Sequence, residues 1–200
     1  MHKVIQRSLS VLIPALMLSG APQAQAATQA ATQAKQSATQ DARQQKLAET
    51  FKEFDTASWV AEGKGARVLY IFFDPNCPYC HKLYESLRTH VGKNDLELRW
   101  IPVGILMTTS FGKAAAILEA KDPLAAFRQN EEKFSAGGAA QETFASAATE
   151  KRLNQNSQLL TQIGGQSVPT LVYRDAAGHV KVAQGGPRSN ELDAFLAQVK

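Results

Sequence analysis

The 200-residue sequence has little cysteine and lacks the residue spacings of the common zinc and nucleotide-binding motifs. It has only two cysteines, Cys77 and Cys80, spaced as C-x-x-C, and no second C-x-x-C or H-x-x-x-H. A tetrahedral zinc site would therefore lack two of its four ligands, so we expect no bound metal. No G-x-G-x-x-G follows a predicted strand, so the paired glycines indicate helix ends and turns rather than phosphate-binding loops.

A long apolar run is also missing. Residues 9–18 are apolar but contain Pro14, and they are too few to span a membrane. They follow the basic residues Lys3 and Arg7 and precede Ala24-Gln25-Ala26, a small-x-small cleavage site. This order is typical of a secretory signal peptide, so we predict that residues 1–26 are removed on export. An uncleaved anchor is the alternative interpretation.

The chain lacks a strong excess of charge of either sign. Its formal net charge is +4, from 22 Lys and Arg against 18 Asp and Glu. Loss of Lys3 and Arg7 with the signal peptide would leave 20 basic residues against the same 18 acidic ones. A surface so close to neutral predicts neither a nucleic-acid partner nor a membrane-surface partner.

Residues 27–46 form a low-complexity tract of Ala, Gln and Thr that has no large apolar side chain. Such a tract cannot build a core, so we predict a flexible or weakly helical linker. A small-residue helix that mediates oligomerisation is the alternative.

The remaining pattern predicts an α/β fold. Leu47, Phe51 and Phe54 recur at helical spacing, which indicates an amphipathic helix that ends before Glu62. The nearly continuous apolar run 66–73 indicates a strand buried on both faces. A helix that starts at the C-x-x-C and a second strand at 96–103 complete a right-handed βαβ unit.

The second half begins with a helical block and ends with a hairpin. Residues 108–163 are helical in character throughout, and 168–174 with 179–183 indicate a β-hairpin. A terminal helix is expected at 190–199. Within the block, we predict helices at 110–118, 124–134, 141–148 and 150–163, the second of them started by Asp122-Pro123.

The C-x-x-C lies where the first core strand ends and a helix begins, the edge at which open α/β sheets place their sites. Free backbone N–H groups and the helix dipole stabilise a thiolate there. We therefore predict Cys77 as the nucleophile and the more exposed cysteine, and Cys80 as the resolving cysteine. Pro78 and Tyr79 would shape the surroundings of the sulfur. His81 either adds positive charge or is a solvated helix residue.

Two other interpretations of the motif are open. Cys77 to His81 also spells C-x-x-C-H, the c-type haem attachment motif, with His81 as axial ligand and Met107 or His90 opposite. The buried strand before the motif argues against haem. A binding or chaperone-like module with a structural disulfide is the second alternative. A ring closed across two intervening residues stabilises little, however, which favours redox chemistry.

The residues FFDPNCPYCHKL, the helical block and Val168-Pro169-Thr170 before the hairpin resemble thioredoxin-fold disulfide oxidoreductases of the DsbG/DsbC type. The resemblance covers roughly residues 50–200. It implies a thioredoxin-like domain at 47–200, with a helical insertion, about 108–163, between the βαβ half and the ββα half. It further implies a cis peptide before Pro169, with Val168, Pro169 and Thr170 beside the cysteines as substrate-binding residues.

The same resemblance implies a periplasmic thiol:disulfide oxidoreductase, a reductase or isomerase with no cofactor beyond a Cys77–Cys80 disulfide. Its partners would be cysteine-containing exported proteins and an inner-membrane donor of the DsbD type.

Three features refine that expectation. Ile71, six positions before Cys77, is apolar, as is the residue at this position in DsbC. Thioredoxin and DsbA carry an acid there. Val168 stands where DsbG and DsbC have threonine and matches DsbA. The segment before the fold is also shorter than the dimerisation domain of the family. A DsbA-like oxidase with a DsbB-type partner is therefore the alternative, and monomer and dimer both stay open.

Overall fold

Residues 22–200 are described by the computed structural model of the chain. The predicted signal peptide, residues 1–26, lies outside the described residues except for its last five. The helices are α1 (Pro22–Phe51), α2 (Pro78–Leu87), α3 (Ser110–Glu119), α4 (Pro123–Glu132), α5 (Ala147–Gln162) and α6 (Leu192–Leu196), and the strands are β1 (Val60–Gly63), β2 (Arg67–Phe73), β3 (Leu96–Pro102), β4 (Thr170–Arg174) and β5 (Val180–Gln184).

The strands form one mixed sheet in the order β1-β3-β2-β4-β5. Strands β2 and β3 run parallel, joined by α2, whereas β1, β4 and β5 each pair antiparallel to their neighbours. Strand β2 lies at the centre, and its residues from Leu69 to Phe73 are buried. The predicted βαβ unit, the hairpin and the burial of the first core strand on both faces are confirmed.

The edge strand β1 is a correction to the sequence prediction, which continued the first helix to Glu62. The helix instead ends at Phe51, a 3-10 turn follows at Lys52–Thr56, and Val60–Gly63 pairs with β3. The spacing of Phe51 and Phe54 still reflects packing. Phe54 lies in the core, and the partly buried ring of Phe51 stacks on it with the centroids 5.2 Å apart. A strand of four residues is too short to show an alternating pattern.

The helical insertion is α3, α4 and α5. Asp122 caps α4 by accepting a hydrogen bond from the backbone N–H of Ala125, as its Asp-Pro start predicts. The helix predicted at 141–148 is wrong, because the chain is irregular from 139 to 146. Ser146 sets the start of α5 instead, since its hydroxyl accepts from Thr149 N.

An aromatic cluster holds the insertion against the βαβ unit. The Phe127 ring on α4 lies with its centroid 4.9 Å from those of Phe73 and Trp100 and 5.4 Å from that of Tyr84 on α2. Aromatic pairs at these separations contribute beyond the area they bury. Helix α4 is thereby fixed beside the helix that carries the cysteines.

Helix α1 belongs to two units. Residues 42–200 form one compact unit, and the chain up to Asp41 forms another, of which 22–41 are described. In the larger unit, Leu47 and Thr50 are buried. In the smaller unit, the Ala/Gln/Thr tract is helical, and its side chains from 32 to 41 are exposed. Within residues 22–200, no helix combines the length and apolar character that crossing a membrane requires.

Candidate active site

The two cysteines lie at the first turn of α2. Cys77 is the N-cap, and Pro78, at the first helical position, has the backbone conformation that helix starts favour. The Cys77 Sγ accepts a hydrogen bond from the backbone N–H of Cys80 at 3.2 Å. Both are free thiols and both are buried, with 2% of Cys77 and 1% of Cys80 exposed. Exposure therefore barely separates the two thiols.

Their acidity does separate them. Hydrogen bonding from the Cys80 side chain, aided by the backbone N–H groups of Cys80 and Tyr79, lowers the pKa of Cys77 to about 7 against the opposing effect of burial. Burial, with the interaction with Cys77, raises the pKa of Cys80 far above its ordinary value. One thiolate is thus available near neutral pH, and it is that of Cys77.

The predicted proline faces the cysteines. The Val168–Pro169 peptide bond is cis, and the Cys77 thiol donates to the Val168 carbonyl at 3.5 Å. Thr170, fully buried, donates through its hydroxyl to the Ser167 carbonyl at 2.6 Å. Gly185 N donates to the Pro169 carbonyl at 2.8 Å, which brings the end of β5 to the same place.

Tyr79 and a neighbouring loop present apolar surface to solvent. Tyr79 is 68% exposed, with the Lys82 Nζ 5.6 Å from its ring centroid. In the loop after β3, about half of Ile105, Leu106 and Met107 is exposed. The sequence analysis named Met107 only as a haem ligand and did not identify this loop.

Asp74 connects the C-x-x-C turn to that loop. Its fully buried carboxylate accepts four hydrogen bonds, from Asn76 N and the Ser110 hydroxyl on Oδ1 and from Ile105 N and Leu106 N on Oδ2. A carboxylate with this many donors is well satisfied without a counter-ion. Asp74 belongs to the motif, but the sequence gave no sign of this role, since three of its four partners lie 31 to 36 residues away.

His81 is held by the insertion rather than solvated. Its ring stacks on Phe134, with centroids 4.6 Å apart and planes 6° from parallel. Its Nδ1 lies 3.3 Å from the Oε2 of Glu131, and its Nε2 lies 3.8 Å from the Oε2 of Glu85. Glu131, on α4, is 1% exposed, and burial raises its pKa to about 8. Glu131 carries no sequence signal, because nothing in a helical run of charged residues marks one of them as buried.

The other predicted haem ligands are placed differently. His90 bonds through Nε2 to Asp193 Oδ1 at 2.9 Å, and Met107 lies in the exposed loop. Among residues 22–200, no group of three or more His, Cys, Asp and Glu side chains is arranged to hold a metal ion.

A model of the thioredoxin-like domain matches residues 54–200, most of the chain. The chain belongs to the thioredoxin-like domain family.

Within this family, the thioredoxin-like domain is of the DsbG/DsbC type. It is 34% identical over 150 residues to the thiol:disulfide interchange protein DsbG of Pseudomonas aeruginosa, covering 74% of this chain and 59% of that protein. It is 30% identical over 152 residues to DsbG of Escherichia coli, covering 74% and 60%. The chain thus spans about three fifths of the length of these curated relatives.

Solved structures show the same fold. A linker-deletion variant of ScsC from Proteus mirabilis aligns with a TM-score of 0.63 at 18% identity, over 92% of this chain and 96% of that one. The thioredoxin fold with a helical insertion, expected from the sequence, is therefore confirmed. The position of the cysteines within it agrees with the edge at which α/β sheets place their sites.

Proposed function

We propose that the chain is a periplasmic thiol:disulfide oxidoreductase of the DsbG type, with Cys77 as nucleophile and Cys80 as resolving cysteine. The observation that carries this proposal is the position of the Cys77 sulfur, which accepts from the Cys80 N–H at the start of α2 and lies 3.5 Å from the Val168 carbonyl before the cis proline. The opposite shifts of the two thiol pKa values agree with it. A purely structural disulfide does not require one thiol of lowered pKa and one of raised pKa.

The proposed reaction is two thiol–disulfide exchanges. The Cys77 thiolate attacks one sulfur of a substrate disulfide, forms a mixed disulfide and releases the other substrate sulfur as a thiolate. Cys80 then loses its proton and attacks the Cys77 Sγ. This step breaks the mixed disulfide, forms the Cys77–Cys80 disulfide and releases the second substrate thiolate. The substrate gains two electrons and the enzyme loses them.

Substrate binding is assigned to the surface around the Cys77 sulfur. The Val168 carbonyl, pointed at this sulfur, is a backbone acceptor for an extended polypeptide, and Pro169 and Thr170 hold it in place. Pro78 and exposed Tyr79 border the sulfur on the helix side. The exposed apolar loop 105–107, tied to the same turn by Asp74, suits the unfolded segments in which non-native disulfides occur.

The proposed partners follow from the reaction. The substrates are exported proteins with disulfides, and an inner-membrane donor of the DsbD type restores the thiols. The signal-peptide pattern at residues 1–26 supports a periplasmic location. The redox chemistry needs no cofactor beyond the cysteine pair.

A second candidate is a dithiol oxidase like DsbA, reoxidised by a DsbB-type protein. Val168 favours it, because this residue precedes the cis proline and its carbonyl contacts the nucleophile. The reduction potential distinguishes the two, since about −120 mV characterises DsbA and about −270 mV characterises thioredoxin.

Two serine variants test the proposed function. Cys77→Ser should abolish reduction of insulin and refolding of a scrambled disulfide substrate. Cys80→Ser should instead accumulate a mixed disulfide that gel electrophoresis without reductant detects, because the first exchange proceeds and resolution cannot. Activity that survives Cys77→Ser would contradict the proposal and would favour a structural disulfide.

A further inference from the structure

Glu131 is a buried acid that has no role in the two thiol–disulfide exchanges proposed above. Only 1% of it is exposed, yet among the residues that the structure describes no lysine or arginine forms a salt bridge with it. The amide of Asn130 lies 3.3 Å from Oε1 and His81 Nδ1 lies 3.3 Å from Oε2. Burying a carboxyl without a cationic partner costs stability, so its place calls for a functional explanation.

The carboxyl of Glu131 lies within electrostatic range of both cysteines. Negative charge on Cys77 raises the pKa of Glu131, and Glu131 in turn raises that of Cys80. The geometry agrees, because Asn130 also donates to the carbonyl of Pro75, two residues before the nucleophile. His81, which contacts Glu131 directly, is the residue after Cys80.

The other buried acids near the sheet are either fully hydrogen-bonded or paired with a cation. Asp74 accepts four hydrogen bonds, two on each oxygen. Glu62 accepts from the Arg128 guanidinium on Oε1 and from the Trp100 indole on Oε2, at 2.8 and 3.1 Å. Among the described residues, Glu131 is therefore the buried acid that has neither a lysine or arginine partner nor a full set of hydrogen-bond donors.

The second exchange, in which Cys80 attacks the mixed disulfide, needs a nearby group that accepts the proton of Cys80. Cys80 is 1% exposed and burial raises its pKa, so it enters the step as a thiol that water reaches poorly. A general base is most effective when its own pKa lies near the working pH. Burial raises the pKa of Glu131 to about 8, which places it close to neutral pH.

We propose that Glu131 takes up the proton of Cys80 as Cys80 attacks the mixed disulfide, and returns it when Cys80 is the leaving group in the reverse direction. In the forward step, the carboxylate of Glu131 becomes a carboxylic acid, the Cys77–Cys80 bond forms, and the substrate leaves as a thiolate. Atoms, charge and electrons balance without a further reagent. The inference rests on the proposed function, because it concerns the second exchange of that reaction.

A route to solvent leads away from the buried carboxyl. His81 Nδ1 faces the Oε2 of Glu131, and its Nε2 lies 3.8 Å from the Oε2 of Glu85. The side chain of His81 is 21% exposed and that of Glu85 is 59% exposed. Stacking on Phe134 fixes the imidazole plane between the two carboxyls. The titratable group in contact with Glu131 is therefore His81 on α2, with Glu85 behind it, and the two cysteines interact with Glu131 electrostatically.

The test is a single-turnover reaction of the full chain with a fluorescent peptide disulfide, from about pH 6 to 9.5. Formation and decay of the mixed disulfide are followed separately, so the first exchange reports on Cys77 and the second on Cys80. The variants are Glu131→Gln, Glu131→Asp and the matched control Glu132→Gln, which changes the neighbouring, exposed residue of the same helix.

In the wild type, the resolution rate should rise with pH and level off above the pKa of Glu131. Glu131→Gln should slow resolution at pH 8 by about 100-fold or more, the usual contribution of a general base, and remove the plateau. Glu131→Asp should keep the plateau, and Glu132→Gln should match the wild type. The first exchange should keep its rate in all three variants, which shows that they are folded.

Two results would overturn the inference. One is an unchanged resolution rate and pH profile in Glu131→Gln. The other is an equal loss in the Gln and Asp variants with the plateau retained in both, which would mean that Glu131 acts through packing alone. Absence of any mixed disulfide in the wild type would instead refute the proposed function itself.

Discussion

Cys77 and Cys80 are the same residue type, three positions apart and equally buried, yet they differ strongly in acidity. The pKa of Cys77 is lowered by hydrogen bonding from the Cys80 side chain and from backbone N–H groups at the start of α2. The pKa of Cys80 is raised chiefly by burial, and further by its interactions with Cys77 and Glu131. Helix starts supply such donors because their first N–H groups have no partner within the helix. A small set of local hydrogen bonds thus assigns the two roles.

The acidity of Cys77 should depend on Cys80. The pH dependence of iodoacetamide alkylation of Cys77 should have its midpoint near the pKa of about 7, with the rate rising with pH because the thiolate is the nucleophile. Cys80→Ala removes the strongest stabilising hydrogen bond, so the midpoint should move up towards the value of about 8.5 for a free cysteine. A midpoint that stays near 7 in Cys80→Ala would assign the acidity to the helix start alone. Replacement of the partly buried Ser86 on α2, whose hydroxyl bonds to the Lys82 carbonyl of the same helix, by Ala is the control. Peptide mass mapping after timed alkylation is the measurement.

At this scale, the sequence predicts residues whose role is local. The spacing of Cys77 and Cys80 and the proline at the helix start are contained in four consecutive positions, and the cis peptide before Pro169 was expected from its context. Asp74 and Glu131 act through partners tens of residues away. Which of several acidic side chains is buried depends on how α4 packs, and sequence periodicity does not define this.

The elements of the insertion are tied to the sheet by buried polar groups. Glu62 on β1 bonds to Arg128 on α4, and Asn156 on α5 bonds both to Ser58 and to the Pro102 carbonyl at the end of β3. These contacts join the edge strand β1 and the segment before it to the helices of the insertion. The sequence predicted α3, α4 and α5 of the insertion, wrongly added a helix at 141–148, and did not predict the strand β1.

Asn156 should be critical for docking α5. It is fully buried, and its amide satisfies the Ser58 N–H, the Ser58 carbonyl and the Pro102 carbonyl. Asn156→Ala leaves these groups unpaired, so the free energy of unfolding should fall by about 2–4 kcal/mol. Asn154→Ala, in an exposed position of the same helix, should change it by less than about 0.5 kcal/mol. Urea denaturation followed by circular dichroism measures both, and equal losses in the two variants would contradict this account.

For the molecule as a whole, the order of the elements and the burial of the core strand could be predicted better than the length of each element. The order βαβ, helical block, ββα follows from alternation between strand-like and helix-like periods, because each period requires one face to meet the core. The length of α1 could not be predicted, since Ala and Gln favour a helix but the described side chains from 32 to 41 bury nothing. The pH dependence of global stability, by contrast, is set by the few titratable groups that the core encloses.

The pH dependence of stability should report the burial of Glu131. Its folded pKa, about 8, lies above its unfolded value of about 4.3, so the native state binds the extra proton between these values. This contribution to stability is complete below about pH 4.3 and is lost as the pH rises through 8. The free energy of unfolding of the reduced wild type, minus that of Glu131→Gln, should therefore fall by a few kcal/mol between about pH 5 and 8.5.

Urea titrations of both proteins at each pH give this difference, and the Cys77 thiol, which both proteins keep, enters it only through its interaction with Glu131. The control Glu132→Gln should show no such trend, because its carboxyl is exposed in both states. A difference that stays constant with pH would mean that Glu131 ionises normally in the folded protein, and the buried carboxyl could then not act as the base for Cys80. The same pair of variants thus connects the stability of the whole molecule to the acid–base chemistry of its site.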